Sequence, residues 1–222
     1  MTNYRNIYKQ IDSITQKLIS VGLSASQNFP SHTSLPSEQG TIDKISYSGM
    51  KGLAITLKNI EYIEIYKELE KNRDYNIKMI DGALLQLLYT YRNSELISHR
   101  LAFFPSPFLH DFQNEPEIYE IDEIYADIIA KNILPAPIRF DYDPDNFQEL
   151  EHPKCHLTLG QFKNCRIPVS APITPNTFIS FILRSFYNTA LKKFTEELDF
   201  SSVLFDETIT VNEKKVLHFA VY

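Results

Sequence analysis

Residues 151–170 read EHPKCHLTLGQFKNCRIPVS and concentrate the side chains with most chemical capacity: His152, His156, Cys155, Cys165 and Arg166. A histidine pair supplies a general acid and a general base near neutral pH. Thiols supply nucleophiles or soft metal ligands. An arginine stabilises a phosphoryl anion. Which of these chemistries is available depends on which side chains share a face.

Three strands are expected here, over 136–143, 154–160 and 164–170, and strand alternation assigns their faces. Ile138, Phe140 and Tyr142 point one way, and Arg139, Asp141 and Asp143 the other. Cys155, Leu157 and Leu159 oppose His156 and Thr158. Cys165, Ile167 and Val169 oppose Arg166 and Ser170. If the strands are neighbours, Arg139, Asp141, His156, Thr158 and Arg166 cluster, with His152 at the strand entrance. Both cysteines then fall on the core side, where thiols are inert, so no cysteine nucleophile is expected.

Three readings of that cluster stay open. The first is a metal site. His152 and His156 have the i, i+4 spacing of helical zinc ligands, but Pro153 and the β-rich context oppose a helix. Along a straight strand the two would lie about 13 Å apart, too far for one ion unless the chain bends at Pro153. Asp141 or Asp143 would add carboxylates; Mg or Mn needs more of them, and Zn a third good ligand. The second is a metal-free site, with His152 or His156 as acid or base and Arg139 and Arg166 as phosphate clamps, which is what RNA cleavage without metal requires. Asp141 would then orient a histidine. The third is an ion-pair ladder, Arg139–Asp141–Arg166, that only holds strand register.

The elements around this face follow from periodicity. Ile7, Ile11, Ile14 and Leu18 predict a helix over 3–22. The Ser- and Pro-rich stretch 24–40 reads as a loop or linker. TIDKISYSG and LAITLKN read as short strands, and 60–71 as a helix with an acidic outer face. Residues 81–107 read as a β-hairpin turning at Arg92-Asn93-Ser94-Glu95. Its second run puts His99 on an apolar face with Ile97, Leu101 and Phe103, as a core histidine, and sends Arg100 the other way, beside Ser98 and Ala102. A helix is expected over 117–131. Thr174 caps, and Pro175 opens, a largely apolar helix expected at the centre of the core. Thr210 and Glu213 form a capping box for a short closing helix. The fold class expected is α+β: a largely antiparallel sheet of about six strands with helices packed on it and an N-terminal helical arm. Residues 1–40 would be helix and linker, and 41–222 one domain.

The chain has 222 residues, 43% hydrophobic and 23% charged, with net charge −6. That charge opposes indiscriminate nucleic-acid binding by the whole surface but leaves room for a local basic patch. Charge is segregated: Asp111 to Glu151 carries twelve acidic residues and two basic ones, whereas His152 to Thr195 carries six basic and no acidic residues. The later segment is therefore either ordinary solvated surface beside a buried helix or the lining of an anion-binding surface, for phosphate, a nucleotide or an acidic partner. No apolar signal core, membrane span or disulfide framework is evident, so a cytoplasmic protein with reduced thiols and no membrane partner is expected. No phosphate loop, dinucleotide fingerprint, nucleophile elbow or CxxC pair occurs, which disfavours nucleotide-driven motors, dehydrogenases and serine hydrolases. No cofactor is indicated.

The ordered pieces DGALLQLLYTY, HRLAFFPSP, PIRFDYD, HPKCHLTLG and CRIPVSAPITPNTFISFILRSFY resemble the bacterial domain-of-unknown-function family 2290 over most of residues 45–220. That resemblance implies a bacterial cytosolic protein with no catalytic residues to carry over, and a role in genetic conflict. A looser likeness, to small TumE-type toxins, rests on Asp81-Gly82, Arg139 to Asp141 and His152-Pro153. Thr158 stands where such toxins would have a further histidine. Two functions are therefore expected as alternatives: a toxin-like or phage-defence effector acting on RNA, or a non-catalytic adaptor bound to a protein partner encoded nearby.

Overall fold

The computed structural model describes residues 3–50, 60–108, 136–162, 164–201 and 203–222. The strand expected over LAITLKN and the helix expected over 117–131 lie outside the described residues.

The described strands are β1 (Ser24–Gln27), β2 (Pro30–Ser37), β3 (Gly40–Tyr47), β4 (Ile77–Met79), β5 (Leu84–Arg92), β6 (Glu95–Phe104), β7 (Ile138–Tyr142), β8 (Cys155–Leu159) and β9 (Ile167–Pro168). They form one sheet of nine strands in the order β1-β4-β5-β6-β7-β8-β9, with the β2–β3 hairpin joined to β5 through β3. Every pairing between these strands is antiparallel. The fold is α+β, as the sequence implies.

The stretch expected as a loop or linker over 24–40 is instead β1 and β2, which corrects that reading. β2 is an edge strand with nearly every residue after Pro30 outside the core. It lacks the apolar alternation that announces a half-buried strand. Backbone pairing to β3, from Pro30↔Tyr47 to Ser37↔Gly40, holds it in place. Its prolines are tolerated because an edge strand has one side unpaired.

Helix α1 (Tyr4–Ser20) is capped by the Asn3 side chain, which accepts from the Asn6 N–H at 3.0 Å. Its apolar stripe of Ile7, Ile11, Ile14 and Leu18 is fully buried, in one cluster with Ile45, Leu87, Tyr89, Leu101, Phe140 and Leu157 from the sheet. The N-terminal helix is thus part of the main core. Helix α2 spans Tyr62–Asn72. Helix α3 (Pro175–Phe186) starts as expected, with the Thr174 side chain accepting from Thr177 N–H, and buries Phe178, Ile179, Ile182 and Leu183 in the same cluster as α1. A short α4 (Asn188–Lys193) follows. The capping box is present near the C-terminus: Thr210 N–H donates to Glu213 Oε2 at 2.9 Å, and Glu213 N–H to Thr210 Oγ1 at 3.2 Å.

The other face of the sheet is divided. Ile65, Tyr66 and Leu69 of α2 pack on Leu84, Ala102 and Phe104, so the apolar stripe of this amphipathic helix occupies one end of that face. Helices therefore lie on both faces of the sheet. The rest of this second face carries the polar side chains of β3, β5, β6, β7 and β8.

The β5–β6 hairpin turns at Asn93 and Ser94, whose φ angles of 50° and 71° match the twist of the flanking strands. Asn93 also joins the two hairpins: its Oδ1 accepts from Thr41 N–H and its Nδ2 donates to the Gln39 carbonyl, both at 3.0 Å. Gly40 (φ +112°) lies against this amide, and a Cβ there would overlap the Asn93 side chain.

His99 is a core histidine, 4% exposed, whose Nε2 accepts from Ile173 N–H at 3.1 Å. Burial, partly offset by the charge of Asp141, lowers its pKa to about 4 from an ordinary 6.5. The unfolded chain therefore takes up a proton at His99 below pH 6.5 while the folded chain does not until about pH 4. Stability from this group is complete above pH 6.5 and lost as the pH falls through that window, by roughly 3 kcal/mol. A His99→Gln variant is expected to flatten the denaturation-midpoint curve there; an unchanged slope would show that His99 is not the titrating group.

Candidate functional site

Register builds the site. Arg100 of β6 pairs with Asp141 of β7, which pairs with His156 of β8. One step along, Ala102 pairs with Arg139, which pairs with Thr158. The alternation that sends His99, Leu101, Phe140 and Leu157 into the core sends Arg100, Arg139, Asp141 and His156 to the opposite face.

Asp141 is nearly buried, at 7% exposure. Its Oδ1 accepts from Arg100 Nε at 2.8 Å and its Oδ2 from Arg139 Nε at 2.7 Å. Burial alone would raise its pKa, but the adjacent Arg100 and Arg139 charges outweigh burial and hold the carboxyl below the usual range. The group is an ionised carboxylate with a cation on each oxygen. The ion-pair network is therefore Arg100–Asp141–Arg139. Arg166, expected as the second arginine of the ladder, is replaced there by Arg100. The reason is strand order: Asp141 faces β6 as closely as β8, and Arg100 shares its register.

His156 lies on the same face, 3% exposed, with Nε2 at 3.9 Å from Asp141 Oδ2, beyond hydrogen-bond reach. Asp141 does not orient this ring. The Pro153 carbonyl does, at 2.9 Å from Nδ1. A carbonyl only accepts, so Nδ1 carries the proton and Nε2 presents its lone pair. His152 repeats the pattern, with Nδ1 at 2.7 Å from the Asn146 carbonyl. The chain bends at Pro153–Lys154 before β8 begins, and the bend brings the two rings to a centroid separation of 4.8 Å. Burial, helped by the charges of His152 and Arg166, lowers the His156 pKa despite the opposing Pro153 and Asp141 contributions. His156 is accordingly neutral at pH 7, and a positive charge on His152 reinforces that state. The two imidazoles lie close enough to act on one substrate, and the buried His156 has the neutral form that a general base needs.

These groups line an open cleft of about 760 Å³ that holds Arg100, Arg139, Asp141, His152, His156 and Arg166 together. The structure thus brings all five residues singled out from the sequence, His152, His156, Asp141, Arg139 and Arg166, to one cavity. The cleft also holds Lys44 and Asp143, so its described lining has four cations, Lys44 and three arginines, against two carboxylates. A chain with net charge −6 has gathered a local positive excess on one sheet face.

Arg100 and Lys44 were absent from the sequence-derived site, although alternation could have found both. Alternation puts Arg100 opposite His99, and Lys44 and Ser46 alternate with the buried Ile45 and Tyr47. What was missing was the pairing that sets β3, β5 and β6 beside β7. Cys155 lies in the core, its thiol donating to the Ala171 carbonyl at 3.3 Å, and burial raises its pKa well above the ordinary value. It is unsuited to act as a thiolate. Among the described residues no group of three or more His, Cys, Asp or Glu is placed to hold a metal ion. No described helix is long and apolar enough to cross a membrane.

Replacing Asp141 by Asn leaves Arg100 and Arg139 facing a neutral amide, and breaking such a pair costs about 3 kcal/mol or more. Because the folded pKa lies below the unfolded value of ~3.9, the stability Asp141 contributes is present above about pH 4 and lost as pH falls through the depressed folded value. Urea denaturation is expected to show Asp141→Asn destabilised at pH 7, with the gap to wild type closing in acid. A pH-independent gap would assign the loss to packing instead.

No curated protein and no solved structure matches this chain. A family model described as an uncharacterized conserved protein, DUF2290, matches residues 23–221. That match runs from β1 through the whole sheet to the C-terminal segment and includes every residue of the cleft, and the chain belongs to the DUF2290 family.

Proposed function

We propose that the cleft is the active site of a nucleic-acid-directed effector that cleaves RNA without a metal, in the manner of a toxin or phage-defence component. The observation that carries this reading is the His152–His156 pair. Both rings have Nδ1 committed to a backbone carbonyl, and both line a cleft with three arginines. His156, neutral and buried, is the general base: its Nε2 takes the proton of a ribose 2′-hydroxyl. The 2′-oxygen attacks the adjacent phosphorus, and the bond from phosphorus to the 5′-oxygen breaks. His152, in its protonated form, gives the leaving 5′-oxygen its proton, so the products are a 2′,3′-cyclic phosphate and a 5′-hydroxyl. Arg166 and the Arg100–Asp141–Arg139 unit face the phosphate oxygens. Asp141 keeps the two guanidinium groups in fixed positions, so the charge opposite the phosphate is organised before substrate arrives.

A non-catalytic adaptor bound to a protein partner is the second reading. It is favoured by the apolar side chains exposed near the C-terminus, where Leu217 is 84% and Val211 75% accessible.

The deciding experiment is cleavage of labelled single-stranded RNA in EDTA by wild type, His156→Ala and His152→Ala. Each substitution is expected to lower the rate by about 10²–10⁴-fold, the usual share of one acid–base group. Circular dichroism should be unchanged, and wild-type products should end in a cyclic phosphate. Full activity in folded His156→Ala would remove that residue from the reaction. No wild-type cleavage, together with a stable protein complex insensitive to substitutions in the cleft, would favour the adaptor.

A further inference from the structure

The cleft does not end at the histidines. It continues across β7, β6 and β5 to β3, where Lys44 and Ser46 line it, together with Thr90 of β5 and Ser98 of β6. The register places Lys44, Thr90 and Ser98 in one row, since Lys44 pairs with Thr90 and Thr90 with Ser98. A second row runs Leu88, Arg100, Asp141, His156. From β3 to β8 is four strand spacings, or about 19 Å at ~4.8 Å each. That is longer than one nucleotide.

Charge follows the same axis. Asp141 and Asp143 are the carboxylates among the described lining residues, and both lie on the β7 side. Asp141 is engaged by two arginines, and Asp143 accepts from Asn146 Nδ2 on both oxygens. At the far end, Asp43 precedes Lys44 in the chain but belongs to the opposite face, where it bonds His32 Nε2 at 2.8 Å. Lys44 is therefore an exposed cation among hydroxyl groups, with no lining carboxylate on its own strand.

Resting on the reading of the cleft as a phosphodiester-cleaving site, we infer that its substrate is an extended single-stranded RNA, with Lys44 holding a backbone phosphate remote from the bond cleaved. A mononucleotide would occupy the His–Arg end alone and leave the Lys44 end in water. A strand laid across β8 to β3 places phosphates against both cationic ends, with the hydroxyls between them as donors. An ammonium on a flexible stem suits such a contact, because it attracts phosphate as a point charge and reads no sequence.

The test uses wild-type protein and Lys44→Ala, with two probes read by fluorescence anisotropy. One is a fluorescent 2′-O-methyl oligouridylate of about 12 nucleotides, within the usual span of single-strand sites, which lacks the attacking hydroxyl and stays intact. The other is uridine monophosphate, as competitor. The oligonucleotide is expected to bind wild type at least tenfold more tightly than the mononucleotide. Lys44→Ala should weaken only the oligonucleotide, and its salt slope should fall by about 0.7, the share of one phosphate contact on a single strand. Equal affinity for the two probes, or an unchanged salt slope in Lys44→Ala, would overturn the inference while leaving a cleavage site intact. Failure of wild type to bind either probe would overturn both the inference and the reading beneath it.

Discussion

The carboxylate of Asp141 lies between guanidinium groups from two adjacent strands, Arg100 on β6 and Arg139 on its own strand β7. Placing three charged groups on a sheet face this near the core is costly unless each is matched, because desolvation penalises every charge separately. Here each carboxylate oxygen has one arginine, and the network stays ionised. Its geometry fixes where the two cations stand, and its carboxylate is one of the charges acting on His156. Asp141 favours a charged His156, Arg166 and His152 disfavour it, and burial tips the balance to the neutral ring.

The same register makes a divided surface. One face of β5 and β6 is continuous with the α1–α3 core. On the other, α2 covers Leu84, Ala102 and Phe104, and the polar rows begin beside them. The helix packed on Leu84, Ala102 and Phe104 gives the site one apolar flank, and the paired strands form its floor. Paired strands of this kind hold the charges of the cleft in fixed positions. The bend at Pro153–Lys154 adds the second histidine without requiring a further strand.

Much of this was legible in the sequence. Alternation in IRFDY and CHLTL assigned the faces of Arg139, Asp141 and His156, and it kept Cys155 in the core. Thr174 and Pro175 announced α3, and Asn93-Ser94 announced the β5–β6 turn. Composition misled at 24–40, because β2 is held by backbone hydrogen bonds that leave no trace in side-chain pattern when both faces are open to water.

What the sequence alone determined was the face each side chain takes, because local backbone geometry and apolar periodicity are properties of neighbouring residues. Only the tertiary structure decided which faces meet. Strand order made Arg100 rather than Arg166 the partner of Asp141, and it extended the cleft to Lys44. The turn at Pro153 shortened a separation of about 13 Å, expected for an extended strand, to rings 4.8 Å apart. Those outcomes rest on contacts between residues distant in the chain, such as Lys44 with Thr90 and Arg100 with Asp141. Periodicity within each segment is the same whichever strands become neighbours.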